Sequence, residues 1–218
     1  MQEQSEQEQP EQKEKNTSQH EIEELTEEGR ARIRKEHAEI RAQRNPKKGL
    51  VIVNTGKGKG KTTAALGVLM RAWGQNMRVI MLQFMKAQTG NWGEIRAAQS
   101  MGVEIIPLGD GFTWTSDNLE HDRALAQQCW QRCRATIEGG QYDIVIMDEI
   151  TYAFKYGWLD LEEVLTTLRK RNPNMHVILT GRDAPEALIE YADLVTEMRE
   201  IKHPYKSQGI TAQRGIEF

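Results

Sequence analysis

Residues 50–63 read LVIVNTGKGKGKTT, an apolar run followed by a segment in which glycine and lysine alternate. A helix-prone run, residues 64–71, comes directly after it. Strand, glycine-rich turn and helix are the context of a phosphate-binding loop. Glycine allows successive N–H groups to point toward an anion, and the helix adds the positive end of its dipole. The stretch therefore predicts the nucleotide-binding loop of an α/β domain.

The loop departs from the usual spacing G-x-x-x-x-G-K-S/T, because its first glycine, Gly56, comes one position late. Lys61 is predicted to pair with phosphate oxygens, and the Thr62 hydroxyl to hold Mg²⁺. A surface turn whose lysines have no ligand is the alternative. We predict that the ATP-binding residues are Asn54, Gly56, Lys57, Gly58, Lys59, Gly60, Lys61, Thr62, Thr63, Arg71 and Arg182.

Residues 142–149, YDIVIMDE, form an apolar run that ends in two carboxylates. A buried strand that delivers an acid at its carboxyl end is the second half of a P-loop site, where the acid binds Mg²⁺ directly or through water. We predict that Thr62, Asp148 and Glu149 hold Mg²⁺, or Mn²⁺ in its place, and that Lys61, Thr62 and Glu149 are catalytic. An ordinary buried strand followed by surface acids is the alternative.

From residue 49 onward, predicted strands and helices alternate. The strands are predicted at 50–54, 78–84, 103–107, 142–148, 176–180 and 194–198, and helices at 61–73, 91–101, 119–138, 150–158, 161–171 and 185–192. This order predicts a P-loop NTPase-like (RecA-like) domain at 49–218, with a mostly parallel sheet and helices on both faces. The tail, 201–218, is expected to be a loop with one edge strand.

The N-terminal part divides into two segments. Residues 1–20 are rich in Glu and Gln and are predicted to be disordered, because they cannot bury enough apolar surface. Residues 21–45 are predicted to form an amphipathic helix with a narrow apolar face, made by Ile22, Leu25, Ile33 and Ile40. This helix is either a solvated appendage or a segment that docks when its apolar face gains a partner.

Composition excludes several classes of protein. The net charge of −3 gives no basic field for nucleic acid. No apolar run is long enough to cross a bilayer, and the acidic N terminus is unlike a signal peptide, so we expect a cytoplasmic protein. The two cysteines, Cys129 and Cys133, have no second pair and are predicted to be packing thiols. Motifs of serine hydrolases, HExxH zinc enzymes and GxGxxG dinucleotide-binding proteins are absent.

Residues 109–115, GDGFTWT, place Phe112 and Trp114 in a glycine-flanked loop. Two large aromatic side chains on a loop either contact a flat apolar partner or fold back into the core. Other polar residues are predicted to follow strands, and ligands of open α/β sheets bind at the carboxyl ends of strands. These residues are Gln83, Lys86, Thr151, Tyr152 and Thr180.

The motifs NTGKGKGKTTAA, QFMK, GFTW, DIVIMDEITYA, VILTGR and IKHPY…GITAQRGIEF occur in this order. Together they resemble the ATP:corrinoid adenosyltransferases of the CobA type (cob(I)yrinic acid a,c-diamide adenosyltransferase), from about Gly29 to Phe218. The sequence departs from familiar members at Lys57, where they have asparagine. GFTW and DEITY with the shortened loop are the specific part of this resemblance.

The resemblance implies an enzyme that transfers the 5′-deoxyadenosyl group of ATP to Co(I) of a reduced corrinoid, either cobalamin or cobyrinic acid a,c-diamide. It implies that triphosphate leaves, and that ATP lies reversed relative to ordinary P-loop enzymes. Phe112 and Trp114 would press on the lower corrin face and exclude an axial ligand, and the N-terminal helix would cover the corrinoid. The implied partners are an electron donor such as a flavodoxin or reductase and a second copy in a homodimer. A RecA-like ATPase and a small-molecule kinase are the alternatives.

Overall fold

The computed structural model describes residues 26–42, 48–87, 89–90, 92–109 and 119–217. The chain divides into two compact units, residues 1–47 and 48–218. In the first unit, helix α1 (Glu27–Ala42) lies within the predicted amphipathic helix. The predicted disordered segment, residues 1–20, lies outside the described residues.

The second unit alternates strands and helices almost throughout. Its elements are β1 (Val51–Thr55), α2 (Lys61–Gly74), β2 (Val79–Ala87), α3 (Gly93–Met101), β3 (Glu104–Gly109), α4 (Leu119–Gly139), β4 (Ile144–Asp148), α5 (Thr151–Lys155), α6 (Leu161–Lys170), β5 (His176–Thr180), α7 (Glu186–Tyr191), β6 (Leu194–Glu197) and α8 (Pro204–Gln208).

The six strands form one sheet in the order β3-β2-β4-β5-β1-β6, and the neighbouring strands all pair in parallel. The predicted mostly parallel α/β sheet is therefore confirmed. Strand β5 lies between β1, which leads into the glycine-rich loop, and β4, which ends in the acidic pair. Parallel strands bring their carboxyl ends to the same edge of a sheet, so the loop and the acids meet there.

The sheet is covered on both faces. Helices α2 and α3 pack on one face, where Ala65 and Leu69 join Met81, Ile146 and Ile178 in one apolar cluster. The other face is covered by α4, α6 and α7, in a second cluster that contains side chains such as Trp130, Leu168 and Leu188. Burial on both faces explains why the central strands are almost continuously apolar.

Three polar residues extend the α2-facing side of the sheet beyond this core. Successive side chains of a strand alternate between faces, so residues two positions apart share a face. Two positions after Met81, Ile146 and Ile178, the chain has Gln83, Asp148 and Thr180, and all three are buried. The sheet therefore changes from apolar to polar at the edge where α2 begins.

The structure corrects two predictions of local structure. Strand β2 continues to Ala87, so Gln83 and Lys86 lie inside this strand and do not follow it. Residues 201–217 contain no strand, so the predicted edge strand of the tail is wrong. A short helix begins instead at Pro204, whose fixed φ suits a first helical position, and the His203 Nδ1 atom accepts a hydrogen bond from the Tyr205 N–H at 3.2 Å.

Cys129 and Cys133 are buried thiols on α4, as predicted, and the Cys129 Sγ–H donates to the Leu108 carbonyl at 2.9 Å. Within the described residues, no helix is both long and apolar enough to cross a membrane.

Candidate nucleotide site

The glycine-rich loop lies directly against the backbone that follows β6. The Gly58 N–H donates to the Met198 carbonyl at 2.6 Å, and the Met198 N–H donates to the Thr55 carbonyl at 2.8 Å. A Cβ atom on Gly58 would lie 2.7 Å from backbone atoms of Arg199 and Met198. Glycine is required here because the two backbones are too close for any side chain between them.

The loop then turns into α2 through Gly60, whose φ of 112° is in the left-handed region. Gly56 also has a positive φ, of 96°. Glycine adopts such angles without the strain that a Cβ atom would cause. These two residues allow the loop to leave β1 and enter α2 within five residues, so the N-terminal end of α2 faces the space that the loop encloses.

Lys61 is the first residue of α2, and only 6% of the residue's surface is exposed. Its Nζ atom donates to the carbonyl oxygens of Gly56 at 3.0 Å and Gly58 at 2.7 Å. Burial lowers the pKa of Lys61, and the charge of Glu149 opposes this shift. An ammonium group carries three N–H donors, so the loop carbonyls engage only part of its capacity. The glycine loop therefore encloses the ammonium group of Lys61.

Asp148 ends β4 with only 1% of its surface exposed, and its carboxylate accepts three hydrogen bonds. Its Oδ1 atom accepts from the hydroxyls of Thr62 at 3.0 Å and Thr180 at 2.6 Å. Its Oδ2 atom accepts from Gln83 Nε2 at 3.1 Å. Because Thr62 uses its hydroxyl hydrogen on Asp148, its oxygen lone pairs are directed elsewhere, as a cation ligand requires.

Glu149 follows Asp148 with a φ of 61°, a left-handed conformation that is strained for a residue with a side chain. Its N–H donates to Thr180 Oγ1 at 2.9 Å, which helps to hold this conformation. Burial and the neighbouring charge of Asp148 raise the pKa of Glu149 to about 7, while Lys61, Arg182 and Lys86 act in the opposite direction. The Glu149 Oε2 atom is buried and has no hydrogen-bond partner among the described residues.

The two carboxylates and the Thr62 hydroxyl fit a divalent cation. Mg²⁺ prefers oxygen ligands and needs only one or two carboxylates from the protein. A cation would supply the positive charge that the buried Glu149 carboxylate lacks. Among the described residues, no group of three or more His, Cys, Asp or Glu side chains is placed to hold a metal. This donor set is therefore typical of a site that a metal shares with phosphate and water, and not of a closed protein cage.

The remaining predicted residues differ in how closely the structure brings them to Lys61. Asn54 is buried, and its carbonyl accepts from the Gly181 N–H at 3.1 Å. Arg182 is exposed, yet its charge acts on the pKa of both Lys61 and Glu149, so it lies near them. Thr63 is exposed on the first turn of α2. Arg71 lies in the last turn of α2, about 15 Å along the helix from Lys61 at 1.5 Å per residue, and the structure does not bring it to this group.

The other two loop lysines are exposed. Lys59 Nζ pairs with Glu217 Oε2 at 2.5 Å, which ties the loop to the C-terminal tail. The charge of Lys57 contributes to lowering the pKa of Asp183, after the larger effect of Lys155. The predicted corrin-facing residues, Phe112 and Trp114, lie outside the described residues.

Lys86 was predicted only as a polar residue that follows the second strand, and the structure shows which groups surround it. Its ammonium pairs with Glu94 and lies 4.7 Å from the centre of the Trp92 ring. Burial lowers the pKa of Lys86, and the charges of Asp148 and Glu149 oppose this shift. The sequence places Lys86 near the carboxyl edge of the sheet, and its closeness to Asp148 and Glu149 depends on the pairing of β2 with β4.

A separate cleft of about 640 Å³ lies between α4 and the connection from α5 to α6. Its lining includes Arg123, Trp130, Trp158 and Glu163. None of the predicted site residues lines it, so it is distinct from the loop and the acidic pair.

A glycine loop around a buried lysine, with a hydroxyl and an acid hydrogen-bonded across the carboxyl edge of a parallel sheet, defines a P-loop nucleotide-binding protein. The sequence model of the family described as ATP:corrinoid adenosyltransferase BtuR/CobO/CobP matches residues 47–218. The chain belongs to this family.

Individual relatives agree with this assignment. The chain is 43% identical over 182 residues to a corrinoid adenosyltransferase of Sinorhizobium sp., covering 82% of this chain and 85% of the relative. It is 40% identical over 179 residues to a corrinoid adenosyltransferase of Escherichia coli K12, covering 81% and 89%. Among solved structures, the flagellar accessory protein FlaH of Methanocaldococcus jannaschii has a TM-score of 0.44 at 14% identity, over 68% of this chain and 70% of FlaH.

The resemblance found in the sequence is confirmed, and with it the class of enzyme, a transferase that adenosylates corrinoids with ATP. The two alternatives, a RecA-like ATPase and a small-molecule kinase, are not favoured by any of these relatives.

Proposed function

We propose that the protein transfers the 5′-deoxyadenosyl group of ATP to the Co(I) centre of cobalamin or cobyrinic acid a,c-diamide, in the biosynthesis or salvage of adenosylcobalamin. The cobalt electron pair forms the bond to C5′ of the ribose, and the C5′–O bond breaks. That bonding pair leaves on inorganic triphosphate, so cobalt is formally oxidised to Co(III). The observation that carries the proposal is the buried ammonium group of Lys61 inside the glycine loop. Negative charge grows on the triphosphate as it leaves, and this ammonium can stabilise it.

The reaction gives a physical task to five of the predicted residues. Co(I) is already a strong nucleophile, so the protein supplies position and charge and no general base. Lys61 and the N–H groups of the loop would bind the leaving triphosphate, with Arg182 at the rim. Thr62 and Glu149 would hold Mg²⁺, and Asp148 would fix the Thr62 hydroxyl. When bound, Mg²⁺ supplies positive charge to the phosphate oxygens.

The corrinoid, the electron donor and the assembly are proposed on the family resemblance. Phe112 and Trp114 would contact the lower corrin face, and the helix that contains α1 would cover the corrinoid. A flavodoxin or a reductase would deliver the electron, the chain would form a homodimer, and the cytoplasm would be its location. No role for nucleic acid is proposed, in keeping with the net charge of −3.

One product assay separates the proposed reaction from its rivals. The protein is incubated with ATP, Mg²⁺ and chemically reduced cobalamin in the dark. We expect inorganic triphosphate to accumulate together with a light-sensitive alkyl-cobalt product. Accumulation of orthophosphate or ADP without that product would contradict the proposal and favour an ATPase or a kinase.

Trp114→Ala tests the proposed corrin contact. Four-coordinate cobalt is easier to reduce than cobalt with an axial ligand, because the added electron enters an orbital that points at that ligand. We therefore expect a larger loss of activity when the assay starts from Co(II) with a reducing partner than when Co(I) is supplied chemically. Trp73→Ala is the matched control, because Trp73 is exposed in the last turns of α2. Equal losses in both assays for Trp114→Ala would refute the axial-ligand role.

A further inference from the structure

Gln83 is the first residue of the QFMK motif, and it is a buried polar side chain on an interior strand to which the sequence assigns no role. It lies on β2 directly opposite Asp148 of β4, and only 1% of its surface is exposed. Its Nε2 atom donates to Asp148 Oδ2 at 3.1 Å. This hydrogen bond fixes the orientation of the amide, because the reversed orientation would place two acceptors against each other.

The other half of this amide is unused. The Gln83 Oε1 atom is buried, and it has no hydrogen-bond partner among the described residues. A buried amide oxygen without a donor costs about 1–3 kcal/mol, so such an atom in a folded protein calls for an explanation. A purely structural tie to Asp148 needs only the N–H half of the amide.

The Glu149 carboxylate has the same deficiency. Its Oε2 atom is also buried without a partner in the described part of the chain. Both atoms are acceptors, and Gln83 and Glu149 both adjoin Asp148, one by a hydrogen bond and one by the peptide bond. A ligand that satisfies the two atoms must bring O–H or N–H donors, positive charge, or both. A phosphate oxygen brings neither, whereas a hydrated divalent cation brings both.

We propose that Gln83 is a positioning residue for this cation: its N–H holds Asp148, and its oxygen accepts a hydrogen bond from a water molecule bound to the metal. This inference rests on the proposed cation site at Thr62 and Glu149. Mg²⁺ and Mn²⁺ keep several waters when one or two protein groups bind them, and the hydrogens of those waters need acceptors. The carboxylate of Asp148 already accepts three hydrogen bonds. The neighbouring Gln83 oxygen can therefore serve as a further acceptor for the hydrogens of these waters.

The affinity for Mn²⁺ in the presence of ATP tests this role without measuring turnover. Free Mn²⁺ is followed by electron paramagnetic resonance with the full-length chain and ATP, and corrinoid is omitted so that ATP is not consumed. Gln83→Met has a similar volume but lacks both the donor and the acceptor. We expect it to raise the Kd for Mn²⁺ about 10-fold or more, the effect typical of removing a group that orients metal ligands.

Gln83→Glu tests whether a polar group with an acceptor oxygen is sufficient at this position. It keeps an oxygen acceptor in place, and when protonated it can still donate an O–H to Asp148, so we expect it to retain more Mn²⁺ affinity than Gln83→Met. Met81→Leu is the matched control, because Met81 is fully buried on the same strand and the same face. It should leave the Kd for Mn²⁺ unchanged. If Gln83→Met does not fold, Gln83→Asn replaces it, because its shorter side chain cannot reach both partners.

Three outcomes would overturn the inference. The first is a Kd for Mn²⁺ in folded Gln83→Met that lies within about 2-fold of the value for the unsubstituted protein, because removing a group that orients metal ligands should have a larger effect. An equal loss in Gln83→Glu and Gln83→Met would mean that the acceptor oxygen at this position has no role in binding the cation. Weaker ATP binding in EDTA with an unchanged Kd for Mn²⁺ would assign the oxygen to a ribose or adenine donor. If the unsubstituted protein retained no Mn²⁺ with ATP, the proposed cation site itself would be wrong, which is a different failure.

Discussion

Lys61→Ala is expected to lower kcat/KM for ATP by about 10²–10³-fold, the loss typical when a group that stabilises developing charge is removed. The buried ammonium lies between the carbonyls of Gly56 and Gly58, so its removal takes the positive charge from the centre of the loop. We expect both a higher KM for ATP and a lower kcat, because the charge acts on bound ATP and more strongly on the departing triphosphate. Initial rates with chemically reduced cobalamin measure both constants.

Lys59→Ala is the matched control for this substitution. Lys59 belongs to the same loop, but its side chain is exposed and pairs with Glu217. An exposed ion pair contributes about 1 kcal/mol or less, so we expect at most about a 5-fold change in kcat/KM. Unchanged kinetics in Lys61→Ala would remove this residue from the mechanism. Equal losses in the two variants would mean that the loop acts only through its total charge.

Gly58→Ala is expected to raise the Kd for ATP by at least about 100-fold, because a distorted loop loses several N–H contacts of about 1 kcal/mol each. The added Cβ would lie 2.7 Å from backbone atoms of Met198 and Arg199. Backbone atoms cannot rotate out of the way as the end of a flexible side chain can. The loop must therefore shift away from the segment after β6, and the hydrogen bond from the Gly58 N–H to the Met198 carbonyl is lost with it. Calorimetry with ATP and Mg²⁺ measures this change.

Gly67→Ala provides the comparison, because it adds the same atom six residues further along α2 from Lys61. Nothing lies within 4 Å of a Cβ atom at this exposed position. Alanine is the better helix former, so we expect a gain of about 0.5–1 kcal/mol in the free energy of unfolding and unchanged ATP affinity. If Gly58→Ala bound ATP as tightly as Gly67→Ala does, the close contact between the loop and Met198 would be irrelevant to binding.

The sequence alone predicts the sheet well where burial leaves a continuous signal. Strand β5 has the predicted bounds, His176–Thr180, and β4 ends at the predicted residue, Asp148. Both are central strands covered on two faces, so their apolar runs are unbroken and their ends are marked by polar residues. The loop is equally clear, because closely spaced glycines before Lys61 have few other uses.

Contacts between distant parts of the chain could not be predicted in this way. The Gly58 N–H meets the Met198 carbonyl, and Lys59 pairs with Glu217 across 158 positions. Hydrophobic periodicity describes each strand by itself and contains no information on which strands become neighbours. The prediction of an edge strand in the tail was wrong for a related reason. A short run of mixed residues fits a strand or a single helical turn equally well.

Within the site, the sequence predicted that Thr62 and Asp148 hold the same Mg²⁺, but it did not predict the hydrogen bond between them at 3.0 Å. It named Gln83 and Thr180 only as polar residues at strand ends. Their hydrogen bonds to one carboxylate depend on the strand order β2-β4-β5, which places both beside Asp148. The left-handed conformation of Glu149 has no signature in the sequence, because glycine and asparagine are the residues that usually signal it.

The pairing of Lys59 with Glu217 also has a practical consequence for handling the protein. Glu217 lies at the glycine loop, so an affinity tag fused directly after residue 218 would begin close to the loop. Histidine-rich tags bind divalent metals as well, and one placed there would distort any titration with Mn²⁺. Purification handles for the measurements described above belong at the other terminus.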